Sequence, residues 1–348
     1  MLLEEYKSLA PFTTLGIGGP ARWFVTATSE AEIAEAAEWA RKNGAPLFVL
    51  GGGSNLLVAD KGFRGLVLRV RICGVDPRPE GGTVLYRVGA GEEWDHLVQK
   101  TVEENCAGIE CLAGIPGSVG GTPVQNVGAY GQEVETTIER VRALDLETLN
   151  FVELAGAECG FAYRSSRFNA ADRGRFIVTQ VCYRLIKGGA PLLRYADIRK
   201  VFPAHEKPTL LEVAGAVRQI RRAKGMLLVE GESDCRSAGS FFKNPVVSEE
   251  CVKRVIDAAG KEPPQFPVAA AGLVKLPAGW LIEQAGFARG FARGPAGISS
   301  RHTLALINRG GASAADILAL ACEIQIAVNE RFGIHLEIEP VLLGCIDL

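Results

Sequence analysis

Two glycine-rich segments carry the groups from which a phosphate site can be built. Residues 51–55 read GGGSN, which offers several unencumbered backbone N–H groups together with the side chains of Ser54 and Asn55. Glycine admits positive φ and lets a ligand approach the main chain, and converging N–H groups favour an anion such as a pyrophosphate. No Lys-Ser/Thr pair follows, so the loop is not a Walker A, and it lacks the GxGxxG spacing of the dinucleotide fingerprint. Taken alone it reads as a glycine turn as readily as a ligand loop. The second segment, AGIPGSVGGTPVQNVGAYG at 113–131, adds Ser118, Thr122, Gln125 and Asn126 in a stretch too irregular for one helix or strand. Long ordered loops of this kind in compact domains are mostly functional. Two of them suggest a dinucleotide held along its length.

Periodicity supplies the elements that must hold these loops. Residues 22–27 (RWFVTA) read as a strand, and Ser29 with Glu32 is a capping-box signature for a helix ending near Gly44. Residues 47–50 form a short buried strand, so 51–55 falls at the carboxyl end of a βαβ-like unit, where open α/β sheets bind ligands. Residues 66–70 continue the sheet. A second group follows: strand 84–89, helix 92–105 and strands 138–146, 151–154 and 175–186, the last placing Ile177, Thr179, Val181 and Tyr183 on one face. An arginine-rich helix spans 208–224, and the loop-like passage 225–239 leads to a third unit. That unit holds helices near 248–259, 278–285 and 313–331 and a strand at 304–307. The terminal stretch 334–343 reads as a strand that belongs either to this unit or to an earlier one.

Composition narrows the class of protein. Of 348 residues, 47% are hydrophobic and 22% charged, which is ordinary globular composition with length for two or three domains. Lys plus Arg number 38 against 40 Asp plus Glu, and a net charge of −2 supplies no field to gather nucleic acid or an anionic membrane. An anionic ligand must therefore be held locally. The N-terminal MLLEEYKSLA is acidic where a secretory leader is basic. No run approaches the roughly 18 consecutive apolar residues of a membrane span, so a cytoplasmic protein is expected. The nine cysteines form no CxxC pair and sit mostly in apolar surroundings, such as Cys182, Cys322 and Cys345, so buried free thiols are expected. None of the four histidines is spaced with a cysteine or second histidine as zinc requires, and no metal is expected.

The ordered combination TTLGIGGPA (13–21), LGGGSNLLV (50–58), IPGSVGGTPVQNVGAYG (115–131), FAYRSSRF (161–168) and GSFFKNPV (239–246) resembles the UDP-N-acetylenolpyruvoylglucosamine reductase family nearly end to end. The resemblance implies an α+β fold with an FAD-binding domain of the PCMH/vanillyl-alcohol-oxidase type in two lobes, plus a smaller α+β substrate-binding domain. On that reading 1–70 is the first FAD lobe, 71–224 the second and 225–331 the substrate domain. Residues 332–348 form a C-terminal strand segment that carries Glu339 and can return to an FAD lobe. The resemblance also implies FAD as cofactor, NADPH as reductant, UDP-N-acetylglucosamine enolpyruvate as substrate and UDP-N-acetylmuramate as product in peptidoglycan synthesis. A monomer without nucleic-acid or membrane partners is expected.

Carried over position by position, the FAD contacts are Gly51, Gly52, Gly53, Ser54 and Asn55 in the first loop. In the second they are Ile115, Pro116, Gly117, Ser118, Gly121, Thr122, Gln125, Asn126, Gly128, Ala129 and Tyr130. The catalytic groups implied are Arg164 in AYRSS, Ser240 in AGSFFKNP and Glu339 in LEIEP, and the substrate contacts are Tyr163, Tyr195, Arg221, Lys224, Asn244 and Lys275. Tyr195, in LRYADI (193–198), matches a tyrosine that closes over the substrate in the longer form of the family. The chain departs from the family in reading L-E-I-E-P-V where L-E-P-E-V is usual, and in having Phe266 where some relatives carry tyrosine. The spacing from Lys224 to Ser240 is also longer.

Each implied catalytic residue has a physical reading of its own. The planar fork of Arg164 suits a carboxylate held bidentately, with a surface salt bridge as the plain alternative. Ser240 sits in a small-residue turn before Phe241 and Phe242, where most serines only form turns. As a very weak acid it can protonate only a very basic centre, and an enolate beside a carboxylate is one. Glu339 shares a strand face with Glu337 and His335 by the period of two, opposite Ile334, Leu336 and Ile338. That face reads either as solvent-facing or as the wall of a site. An oxidase of the same flavin fold often tethers FAD through a histidine, which neither glycine loop contains. A regulatory protein that had lost the chemistry has no use for Arg164, Ser240 and Glu339 together.

Overall fold

Ser29 starts the first helix as its sequence signature requires: its hydroxyl accepts the Glu32 N–H at 3.2 Å, and Glu30–Lys42 buries Ile33, Ala36, Ala37 and Ala40 at helical spacing. The return arm of the expected capping box goes chiefly to the preceding residue: the Glu32 carboxylate takes the N–H and hydroxyl of Thr28 at 2.6 and 2.8 Å. In the computed structural model, which describes residues 1–203, 205–268 and 270–345, the architecture is α+β. Residues 346–348 of the expected terminal segment, and Ala269 within 225–331, lie outside the described residues.

The chain divides into two units, each assembled from separate stretches. The first comprises Met1–Lys7, Ala21–Gly53 and Arg64–Arg222; the second comprises Ser8–Pro20, Ser54–Phe63 and the described residues from Ala223 onward. In the first unit a four-stranded sheet runs in the order Glu4–Ser8, Pro20–Ala27, Phe63–Val70, Leu47–Leu50, with the last two parallel and Leu47 opposite Leu66. A six-stranded sheet follows, in the order Asn150–Ala155, Ile138–Asp145, Phe176–Lys187, Thr83–Gly89 and Val75–Glu80, with Cys106–Ala107 paired to the end of Phe176–Lys187. Its pairings are antiparallel. The expected face Ile177, Thr179, Val181 and Tyr183 is buried throughout. The helix Glu30–Lys42 and the larger sheet are joined by a bidentate pair, Arg142 Nε and Nη2 on the Glu30 carboxylate at 2.8 and 2.9 Å, with the Thr179 hydroxyl adding a third bond.

The second unit packs the helices Glu249–Ala259, Ala278–Gln284 and Ala314–Phe332 with two three-stranded antiparallel sheets. Its core takes Phe241, Phe242, Leu281, Ile317 and Ile324 together with Leu15, Ile17 and Leu57 from the N-terminal part of the chain. The strand expected at 334–343 is shorter in the structure: only Val341–Leu343 joins a ladder, parallel to Leu56–Val58. Upstream, Ile334 and Leu336 are buried and His335 and Glu337 exposed, as a period of two requires, yet one bridge, Phe242 to Ile338, is the pairing there. The backbone changes partner at Pro340. Glu339 N–H donates to Phe241 O at 3.0 Å and Val341 N–H to Asn55 O at 3.0 Å, and the proline, which has no N–H, falls between them.

The nine cysteines are free thiols. Cys322, expected to be buried, is exposed on the helix Ala314–Phe332, and Cys345 is half-buried. The apolar sequence around Cys322 belongs to the buried stripe of that helix, which the cysteine itself does not join. Among the described residues no helix is long and apolar enough to cross a membrane.

Candidate active site

The two glycine loops meet in the first unit through their main chains. A Cβ on Gly52 would lie 2.5 Å from Gly117 Cα and 3.0 Å from Ser118 N, and one on Gly51 would lie 2.6 Å from Ser118 Oγ. The loops can approach this closely only because both positions lack side chains. The second loop is zipped along residues 90–94: Trp94 N–H donates to Gly117 O, Val119 N–H to Glu92 O and Gly120 N–H to Ala90 O, at 3.1, 2.9 and 2.8 Å. A Cβ on Gly121, in contrast, would meet no protein atom within 4 Å. Neither 51–55 nor 113–131 contains an acid, so the pair presents N–H, hydroxyl and carboxamide groups without a carboxylate to repel a phosphate. This backbone cradle fits the pyrophosphate of FAD.

Two expected side-chain donors are committed inside the protein. The Thr122 hydroxyl donates to Val119 O at 2.8 Å or pairs with the buried Tyr183 hydroxyl at 2.6 Å. Asn126, fully buried at φ 44°, donates through Nδ2 to Glu133, Glu135 and Ala162 O and accepts Glu135 N–H. The main chain of Thr122 is engaged as well, its N–H on Val119 O and its carbonyl accepting Val127 N–H, both at 3.0 Å. Tyr130 and Gly131, at φ 51° and 84°, form the turn of a hairpin that pairs Gly128–Ala129 with Gln132–Glu133.

Arg221 reaches this loop from the helix Leu210–Ala223, donating through Nε to Gly114 O at 3.0 Å and bonding the Tyr130 hydroxyl. Desolvation pushes the pKa of its guanidinium down, while Tyr130 acts in the opposite sense. Tyr195, exposed at the start of the helix Ala196–Val201, sets its ring edge-on to Tyr130 at 5.2 Å. Gly114 N–H is in turn held by Asp95 Oδ1 at 2.6 Å, and that carboxylate also takes Arg218.

Arg164 stands at a strained turn. Ala162 and Ser165 exchange both backbone hydrogen bonds, at 2.9 and 3.0 Å, leaving Tyr163 and Arg164 at the corner with Arg164 at φ 54°, where glycine or asparagine is preferred. Asn169 secures it, donating to Arg164 O at 3.2 Å and accepting Ser166 N–H at 2.9 Å. Ser166 ties the turn to the glycine loop through Val124 O at 2.7 Å. The guanidinium lies 5.6 Å from the centre of the exposed Tyr163 ring.

In the second unit the structure brings together two motifs distant in sequence. Phe241 N–H donates to Leu304 O, and Phe241–Lys243 pairs with 337–339 through Glu339 N–H to Phe241 O and Lys243 N–H to Glu337 O. Ser240 and Glu339, both half-buried, therefore stand on neighbouring backbone segments, and Asn55 joins them through its carbonyl on Val341 N–H. Asn244 Oδ1 accepts the Ala278 N–H at 2.9 Å and so supports a helix start. Lys275 lies on a central strand opposite Val246 and Phe266. Lys224 is half-buried at the start of this unit's last stretch.

Sequence reading did not single out Asp95, Asn169 or Glu110, whose carboxylate is described below. A lone acid or amide outside a glycine motif carries no local signal. Only an acid in an apolar run, as Glu110 is in AGIECLAG, hints at a buried anchor.

Comparison with known proteins bears on both units. Residues 231–343 match the family described as UDP-N-acetylenolpyruvoylglucosamine reductase, C-terminal domain, and residues 21–148 match the FAD binding domain family. A UDP-N-acetylenolpyruvoylglucosamine reductase of Thermobifida fusca is 45% identical over 346 residues, covering 97% of this chain and 96% of that one. The protein of that name from Streptomyces coelicolor is 46% identical, covering 97% and 89%. The crystal structure of UDP-N-acetylenolpyruvylglucosamine reductase from Thermus caldophilus superposes with a TM-score of 0.68 at 28% identity, over 99% of this chain and 100% of that one.

Proposed function

Because this chain belongs to the UDP-N-acetylenolpyruvoylglucosamine reductase family of FAD-dependent oxidoreductases of peptidoglycan synthesis, we propose that it uses NADPH to reduce UDP-N-acetylglucosamine enolpyruvate to UDP-N-acetylmuramate. The observation that carries the chemical part of the reading is the pairing of Phe241–Lys243 with residues 337–339, which sets a hydroxyl-bearing turn beside a carboxylate-bearing segment.

The residues that would hold FAD are those of the double glycine loop, Gly51 to Asn55 and Ile115 to Tyr130, whose uncommitted backbone N–H groups would favour the pyrophosphate. When bound there and reduced by NADPH, FAD would supply the hydride, for which C3 of the enolpyruvyl group would be the acceptor. Arg164 holds the substrate carboxylate in its planar fork and offsets the negative charge that develops across C2 and that carboxylate. Its strained corner fixes the guanidinium, since a turn held by Asn169 and Asn126 has little freedom to follow the side chain. Ser240 gives its hydroxyl proton to C2, a centre basic enough to take it, and recovers a proton from solvent. Glu339 acts beside it on the enolic oxygens. Tyr163, Tyr195, Arg221, Lys224, Asn244 and Lys275 bind the sugar diphosphate. The protein works as a monomer in the cytoplasm.

The test separates two half-reactions. Anaerobic NADPH should bleach the visible flavin band, and the enolpyruvyl substrate should restore it with formation of the muramate product. A flavin that NADPH does not reduce, or that the substrate does not reoxidise, would overturn the reading.

A further inference from the structure

Glu110 is 1% exposed and is a buried acid with no part in the proposed chemistry. It opens the short turn Glu110–Leu112, and its two oxygens are met by three N–H donors from three places. Oε2 accepts Gly108 N–H at 2.8 Å; Oε1 accepts Gln132 Nε2 at 2.8 Å and Leu192 N–H at 2.8 Å. Gln132 completes the link by accepting Cys111 N–H at 2.7 Å, and the Cys111 thiol donates to Leu192 O at 3.3 Å. Gln132 belongs to the hairpin whose turn carries Tyr130, and Leu192 lies three residues before Tyr195, whose ring rests on Tyr130.

We propose that Glu110 is a positioning residue for substrate binding: its buried carboxylate ties the 190–195 strap to the flavin-loop hairpin and so fixes where Tyr195 stands. A carboxylate is suited to this because it accepts only, and all three partners donate. A glutamine has the same shape but must turn an NH2 toward at least one N–H, leaving a buried donor facing a donor. The inference rests on the reading of Tyr195 as a substrate-binding residue.

The experiment uses the FAD-loaded full chain with Glu110→Gln, Tyr195→Ala and the double variant. Glu110→Gln should raise the KM for the enolpyruvyl substrate on the order of tenfold, as loss of one charge-assisted hydrogen bond implies. FAD content and the rate of flavin reduction by NADPH should stay near wild type. Trypsin should cut after Arg194 faster. The double variant should have the KM of Tyr195→Ala alone, because the tether has nothing left to position. Gln132→Met cuts one arm of the link, should move KM the same way by a smaller factor, and takes the place of Glu110→Gln if that variant does not fold. A KM unchanged in both tether variants while Tyr195→Ala raises it would overturn the proposal. So would effects that add in the double variant or fall equally on flavin reduction, which mark a general structural role. If Tyr195→Ala itself leaves KM unchanged, the reading of Tyr195 fails, and the inference with it.

Discussion

Gly52 and Gly117 lie main chain against main chain, so close that a methyl group on Gly52 would stand 2.5 Å from Gly117 Cα. The glycine is needed for the contact between the loops before any cofactor is considered, whereas Gly121 faces open space.

These two glycines should therefore fail differently. Gly52→Val should lower the melting temperature of the FAD-free protein and abolish flavin binding together, because the loops must part. Gly121→Val should leave the FAD-free melting temperature near wild type and weaken FAD binding alone. Flavin absorbance per protein and thermal melts with and without FAD check both. An FAD-free Gly52→Val protein as stable as wild type would contradict the contact.

Ser240→Ala should leave NADPH reduction of the flavin intact, since that step needs no proton at C2. The substrate half-reaction should slow by roughly 10²–10⁴, the usual worth of a positioned general acid. Ser240→Cys should recover part of the loss, a thiol being the stronger acid of nearly the same shape. Stopped-flow rates of the two half-reactions decide it, and a wild-type rate for Ser240→Ala in the second would make the serine a turn residue.

Arg164 should show stability and activity pulling apart. At φ 54° a side-chain-bearing residue is strained, by about 1–2 kcal/mol for ordinary residues. Arg164→Gly should melt no lower than wild type while the substrate half-reaction collapses. Arg164→Lys keeps the charge and loses the fork, so it should rescue little. Asn169→Ala, which frees the turn, should slow the same half-reaction without touching flavin reduction. A clearly lower melting temperature for Arg164→Gly would show that the side chain holds the turn rather than straining it.

Acid should weaken the first unit through Glu30. Its carboxyl pKa is held below the ordinary 4.5 chiefly by the hydrogen bond from Arg142, against the opposing effect of burial. The unfolded chain binds that proton more readily, so the pair's contribution is fully present above pH 4.5 and is lost as pH falls through the lower folded value. Glu30→Gln should cost up to about 1 kcal/mol at neutral pH, as for other partly exposed pairs. The gap from wild type should close in denaturant titrations as the pH falls through that lowered folded value. A gap that persists in strong acid would assign the effect to packing.

Local rules made much of the fold legible. The Ser29 cap and the alternation from Ile177 to Tyr183 need only near neighbours, and the glycine loops announce themselves by composition. What sequence left open depends on distant partners. Nothing near Leu15, Ile17 or Leu57 says that their apolar contacts come from beyond Ala223. Thr122 and Asn126 read as ligand donors because hydroxyl and amide groups in a glycine loop look alike whether they face a cofactor or a buried Tyr183. The terminal strand divides at Pro340 because two segments compete for its N–H groups, and neither is adjacent in sequence.

The discontinuity of the second unit sets an order of events at the ribosome. The first unit has its full complement of residues once Arg222 is made, but Ser8–Pro20 and Ser54–Phe63 must wait for partners that end with Leu343. During that interval Leu15, Ile17 and Leu57 have no native core to enter, so their apolar side chains stay exposed for the time needed to translate the last third. Premature termination anywhere in that third would release a chain with every residue of the first unit present and two apolar segments still waiting.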